Sequence, residues 1–446
     1  MFKFKYRYFL CAFIVLFSLD CFAETNLRSF SAVDNENLTS REDYTNEIRE
    51  IILTQPEFKE ALAKKNEFSQ DRKFASRNRF PTIVGQIVND RSISRDIRNS
   101  DALRKVRDDS FDGVIGIDQP IYRGNEIRSK IKIADIEINR SSIELNQITS
   151  QLILTASEIY VDAVISRLLS DYSNQMLLEL EKYRELSKKR FNAGVAETSE
   201  MAIINVRLSE IAAKNALLEA KKIETSSLFR AFFNKESDNL GLPNIELNEI
   251  NDFNQNNISQ KEYNLEIART RVDSQEAELE VVKSQYRPQL GFGIRYTMYD
   301  IDDQAEDTDI RGGFYLNFPI FNFGRGSAQV GSAKARLNQA RIELDKTYRD
   351  VKYVNAQNYG SSSGSLRARN QILDSYENVK LQRETFALRI GNTDFSIPTL
   401  LEAAFREINL YEQLIYNERE LFLSDLRISH MNALLLNRFY INLKSR

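Results

Sequence analysis

Histidine, cysteine, tryptophan, glycine and proline are all scarce in this chain. Of 446 residues one is His, two are Cys and none is Trp. Histidine is the usual general base and zinc ligand, so its near absence argues against acid–base and metal chemistry; no catalytic, cofactor-binding or metal site is expected. Carboxylates are plentiful, but they follow helix-surface patterns and no Gly-rich loop converges with them, which disfavours a hydrolase using paired acids. With only 16 Gly and 7 Pro to punctuate the chain, long uninterrupted helices are expected. Charge of one sign is also lacking: 61 Lys and Arg oppose 64 Asp and Glu, leaving a net charge of -3. Without a basic block there is no phosphate-tracking footprint, and no nucleic-acid partner is expected.

What is present begins with a leader. Lys3, Lys5 and Arg7 precede an apolar run from Tyr8 to Leu19 and the small-residue site ending at Ala23. Residues 1–23 therefore read as a cleaved export signal, because a run of about 12 residues is too short to cross about 30 Å of hydrocarbon. Lipidation at Cys21 is disfavoured by Asp20 before it. Cleavage would remove both Cys11 and Cys21, leaving a thiol-free chain suited to an oxidising envelope compartment.

The body of the chain contains two copies of one unit. Asp118-Gln119-Pro120-Ile121-Tyr122 aligns with Asn317-Phe318-Pro319-Ile320-Phe321, and each segment is followed by a glycine, Gly124 or Gly324, and a long helical pattern. Along that pattern Ile131, Ala134, Ile138, Ser141, Leu145, Ile148, Leu152 and Thr155 alternate spacings of three and four. So do Val330, Ala333, Leu337, Ala340, Leu344, Thr347, Val351 and Val354, each pair lying 199 positions apart. This is a heptad seam shared by both copies. The offset slips to 197 where Arg190-Phe191-Asn192-Ala193-Gly194 aligns with Ala387-Leu388-Arg389-Ile390-Gly391. The units run 24–233 and 261–446, joined by a polar segment at 234–260.

Each unit also carries two stretches of period two, predicting strands at 81–89 and 110–119 in the first copy and 289–299 and 312–319 in the second. Leu290, Phe292, Ile294, Tyr296 and Met298 alternate there with Gly291, Gly293, Arg295, Thr297 and Tyr299. Strands of about ten residues, apolar on one side and with aromatics near their ends, suit a membrane β-barrel. Four strands cannot close one, so their open edges need other subunits. The helical stretch from Gly124 to Phe191, about 100 Å long, suits spanning a compartment.

In these residues the chain resembles the TolC family of outer-membrane efflux and secretion channels, from about Asp43 to Leu443. Phe318-Pro319-Ile320-Phe321-Asn322-Phe323-Gly324-Arg325 is similar to the family's strand-to-helix junction, and Tyr286-Arg287-Pro288-Gln289-Leu290 to the opposite junction. Phe191-Asn192-Ala193-Gly194-Val195 resembles a helix-tip turn, and Leu400-Leu401-Glu402-Ala403 the segment after the second tip. The resemblance implies a mostly α fold with a small β part: a homotrimer whose subunits each give four strands to one twelve-stranded outer-membrane barrel, continued by a helical tunnel through the periplasm. It implies a passive exit duct for small molecules or secreted proteins, surrounded by outer-membrane lipid. The duct would open when recruited by a periplasmic adaptor and an inner-membrane pump or ABC exporter. By the same resemblance the adaptor would touch the tips at Ala193, Gly194, Val195, Ile390, Gly391 and Asn392, and Pro120, Gly124, Pro319 and Gly324 would form the strand–helix junctions. Glu402 would join a cation-selective ring at the periplasmic mouth. Ser361-Ser362-Ser363-Gly364-Ser365 departs from a good helix former and reads as small residues permitting close packing, in preference to a kink. The alternative, a periplasmic coiled-coil adaptor or structural envelope protein, should have one helical hairpin in place of this duplicated unit.

Overall fold

The computed structural model describes residues 28–443 apart from 31, 92, 94–108, 248–260, 300, 302–306 and 391–395. The expected leader lies outside the described residues, as do residues 248–260 of the segment joining the copies and, at the second tip, Gly391 and Asn392.

In chain order the elements are β1 (Leu38–Thr39), α1 (Arg41–Thr54), α2 (Pro56–Arg77), β2 (Thr82–Arg91), β3 (Asp109–Arg123), α3 (Glu126–Asn192) and α4 (Thr198–Phe233). Then follow β4 (Leu242–Pro243), α5 (Tyr263–Ser284), β5 (Gln289–Met298), β6 (Thr308–Asn317), α6 (Arg325–Arg389), α7 (Ile397–Met431) and α8 (Leu435–Arg438). Local chemistry sets several of these bounds. Ser40 accepts a hydrogen bond from the Asp43 N–H to start α1, and Glu262 accepts one from the Leu265 N–H to start α5. Pro56 separates α1 from α2 because Gln55, which precedes it, is extended and Pro suits a first helical position. Glycine at positive φ, Gly124 at 61° and Gly324 at 81°, turns the chain from strand into α3 and α6.

α3 and α6 are 67 and 65 residues long, about 100 Å each. The sequence from Ser361 to Ser365 does not break α6. Ser362 is buried, whereas a Cβ on Gly360 or Gly364 would meet nothing within 4 Å. The glycines thus admit no close neighbour within the subunit, and only the serine fits the expectation of tight packing. The heptad seams face inward along most of their length, with Ala134, Ser141, Leu145 and Leu152 buried on α3 and Ala333, Leu337, Ala340 and Val351 on α6. Val354 at the end of the second seam is exposed. The shorter α5 packs against both seams, and no described helix is long and apolar enough to cross a membrane.

The main core lies where the chain ends meet the long helices. Tyr44 is fully buried there, its ring against Tyr160, Phe422 and Phe439, and its hydroxyl donates to Ser157 at 2.6 Å. Burying that hydroxyl without a partner would cost about 1–3 kcal/mol, which explains a serine facing it on α3. β1 pairs in parallel with β4, and the Ser29 backbone N–H donates to the Ile245 carbonyl, so the start of the described chain is tied to the segment between the copies.

The four longer strands form one antiparallel sheet in the order β2-β3-β5-β6. β3 and β5 pair along their length and so join the hairpin of each copy into a single sheet. The strand bounds differ from those read by alternation. β3 continues to Arg123, with Pro120 inside it at a register irregularity before Tyr122, where a missing N–H is tolerated. β6 begins at Thr308 and stops at Asn317, so Pro319 lies beyond it. β2 and β6 each leave one edge unpaired among the described residues.

Candidate functional site

The sheet has two chemically distinct faces. The register sets Ile83, Ile117 and Ile294 across from one another on one face, with Ile115, Tyr296 and Ile310 in the next row and the Phe292–Phe314 ring pair beyond. Large apolar members of this face are solvent-exposed in the single subunit: Ile83, Ile87, Ile310 and Phe314 are each about 70% exposed. Among the described residues nothing covers this face, and contiguous apolar exposure of this kind marks an interaction or membrane surface. The opposite face carries Thr82, Asp118, Gly293 and Gly313 in one row and is concave, with a hollow of about 480 Å³. Tyr315 reaches across this face over Gly291, where a side chain would collide with its ring, and donates to Asp118 at 2.7 Å. Asp118 also pairs with Arg123 at 3.3 Å.

The junctions between sheet and helices interlock the two copies. A Cβ on Gly124 would come within 2.5 Å of the Ser284 carbonyl, and Arg287 donates both to the Gly124 carbonyl and to Glu280. Gly324 turns its own helix, and a Cβ added there would come no closer than 3.8 Å to Ser327 Oγ. Phe321 and Phe323 pack edge to face at 4.6 Å beside it and are largely exposed.

At the far end of α3, Gly194 adopts φ 73°, and the Ala193, Gly194 and Val195 N–H groups donate to Lys189, Phe191 and Arg190 carbonyls. These bonds satisfy helix-end carbonyls and reverse the chain into α4. Ile390 ends α6 in an extended conformation, and α7 starts with Ile397-Pro398.

Near these tips a buried polar cluster joins three helices. Glu407 on α7 is fully buried; Arg383 Nε on α6 lies 2.5 Å from its Oε2, and Tyr172 Oη on α3 donates to its Oε1 at 2.6 Å. Burial, and then the hydrogen bond to Glu407, push the Tyr172 phenol above its usual range, so it stays a neutral donor. The Tyr411 ring lies tilted against Tyr172, centroids 4.4 Å apart, and Tyr376 packs on Tyr411 at 5.4 Å. Farther along, Arg369 pairs with buried Glu418 at 2.9 Å, and Arg419 on α7 reaches Asp162 and Glu158 on α3. Sequence reading missed Tyr172, Arg383 and Glu407. Its one available signal was a charge at Arg383 where the first copy, at the offset of 197, has Leu186.

Glu402 lies on the flank of α7 beside buried Leu400 and Leu401, and its carboxylate is 2.5 Å from Arg207 of α4. The single subunit therefore holds it in an ion pair that the sequence did not announce. His430 is packed: its Nδ1 is 2.6 Å from Ser150 Oγ, its ring lies on Tyr263, and burial lowers its pKa. Among the described residues no group of three His, Cys, Asp or Glu converges as a metal site.

No family model matches the chain, and no curated protein matches its sequence. Solved structures do. The outer-membrane channel OprN superposes with a TM-score of 0.72 at 14% identity, over 92% of this chain and 97% of that one. The Campylobacter jejuni CmeC outer membrane channel gives 0.73 at 12% identity, over 91% of each chain. VceC, an outer membrane protein of Vibrio cholerae, gives 0.70 at 15% identity over 89% and 96%. The chain has the fold of these outer-membrane channels. Within this fold Gly194 sits at the turn of the first helical hairpin, between α3 and α4. The match spans nearly all of both chains, so the fold expected from the resemblance to the TolC family accounts for the whole body of the molecule rather than one portion of it.

Proposed function

We propose that this protein is a passive outer-membrane exit duct made of three copies of the chain. One observation carries the reading: a four-stranded sheet with an exposed apolar face and two unpaired edges, continued by helices about 100 Å long. Ten-residue strands match the length needed to cross a bilayer, and an edge strand left open in lipid is costly because no water can satisfy its N–H and C=O groups. Twelve strands from three copies remove every edge, set the apolar face to lipid and enclose the polar concave face. The helices then extend into the periplasm, where the tips at Gly194 and Ile390 meet an adaptor and, through it, an inner-membrane pump or ABC exporter that supplies the energy. The cluster of Tyr172, Arg383 and Glu407 supports a closed resting state, since it ties the second helical hairpin to the first near the tips. Opening would have to break it.

Disulfide trapping tests the assembly. With Ile87→Cys on β2 combined in turn with cysteines at Thr308, Ile310 and Gly312 on β6, one register should give covalent trimers in native membranes. If every pairing yields only monomer while the protein is inserted, the edges do not meet and the reading fails.

A further inference from the structure

We propose that the inner face of the barrel carries a collar of arginine pairs that binds anionic groups on material passing through the duct. The inference rests on the three-copy barrel proposed above. Arg295 on β5 and Arg311 on β6 are direct cross-strand partners, in a row that continues through Gly116 on β3 to Val84 on β2. Like charges set opposite each other on a sheet are destabilising, so this placement needs a compensating role. Both lie on the polar concave face and line its hollow of about 480 Å³. Around them the face is pared down to backbone. Gly116 is in the same row, and Gly293 and Gly313 occupy the adjoining row; a Cβ at any of the three would meet nothing closer than 3.7 Å. The glycines leave room beside the guanidinium groups without being forced by packing.

The acidic groups nearest the pair have partners of their own. Asp118 is occupied by Tyr315 and Arg123. Asp309 holds Arg311 through its Nε at 2.6 Å, which aims the guanidinium while leaving its two terminal nitrogens as donors. Arg295 makes no ion pair among the described residues, and the Arg311 side chain is 81% exposed. Three copies would set six guanidinium groups at one level of the lumen. Planar, paired donors of this kind suit phosphate, sulfate or carboxylate oxygens, which they bind through charge-assisted hydrogen bonds.

The test uses the full-length protein in planar bilayers, with tripolyphosphate added on the side facing the barrel. Wild type should show concentration-dependent block of its pore current. Arg295→Gln/Arg311→Gln should conduct but need about tenfold or more tripolyphosphate for half block, the loss expected for two charge-assisted contacts. Each single variant should fall between, and Arg295→Lys/Arg311→Lys should recover part of the block. Equal block of wild type and the double Gln variant, or no block of a conducting wild type at millimolar tripolyphosphate, overturns the collar. Absence of any pore current from wild type overturns the duct, and the collar with it.

Discussion

At the residue scale the molecule places charge where a coiled coil ordinarily places apolar side chains. Glu407, Glu418 and Asp425 are buried on α7, and each is met by an arginine, Arg383, Arg369 and Arg438 respectively. Removing one partner strands a buried charge, whereas replacing both with apolar groups does not. Arg383→Leu should therefore destabilise the protein by about 3–5 kcal/mol and Arg383→Leu/Glu407→Leu by much less, measured by denaturant unfolding in detergent. Titration gives a second prediction. Burial raises the Glu418 pKa although Arg369 opposes it, so the folded state holds that proton longer than the unfolded one, and stability falls as pH rises above about 4.3. Burial lowers the His430 pKa, so the unfolded state binds the extra proton first, and stability falls as pH drops below about 6.5. Glu418→Gln should flatten the first slope and His430→Gln the second in melting temperatures recorded from pH 4 to 8. Unchanged profiles would show that neither group titrates differently on unfolding.

At the element scale, glycine at positive φ does two different jobs at equivalent places. Gly124 is both left-handed and pressed on the Ser284 carbonyl, whereas Gly324 is left-handed in open space. Gly324→Ala should cost about 1 kcal/mol of backbone strain. Gly124→Ala adds a backbone collision, and should lower the melting temperature and the yield of assembled protein distinctly further. Gly194→Pro removes both the positive φ and the N–H that donates to Phe191, so the tip should lose its turn while insertion and assembly persist; loss of export with a normal trimer yield is the expected result. How these elements appear in sequence follows from how local their causes are. The heptad seams and the glycine turns are visible because spacing and backbone chemistry act over a few residues. Pairing of β3 with β5 is not, because their partnered residues are 166 to 185 positions apart and their register is set only when the copies fold together. The end of β3 was placed short for a related reason: Pro120 reads as a stop, but the bulge beside it lets the strand go on to Arg123. The ion pairs of Glu402 and Glu407 were equally hidden, since a glutamate in a helical pattern looks the same whether it faces water or an arginine from another helix.

At the scale of the whole molecule the single subunit is incomplete in a specific way. Its helices bury a core through the middle and again near the tips, while its sheet exposes an apolar face and two edges. A soluble monomer would leave all of that in water, where exposed apolar edges invite aggregation. Closure of the proposed three-copy barrel and burial in lipid would answer both defects together while keeping the helices outside the membrane. The most direct test is to image the protein by electron cryo-microscopy in lipid nanodiscs. A three-copy duct would appear as a threefold particle with twelve strands enclosing an open lumen in the bilayer and helices projecting about 100 Å from one side. A monomeric particle, or one whose sheet lies outside the lipid, would contradict it.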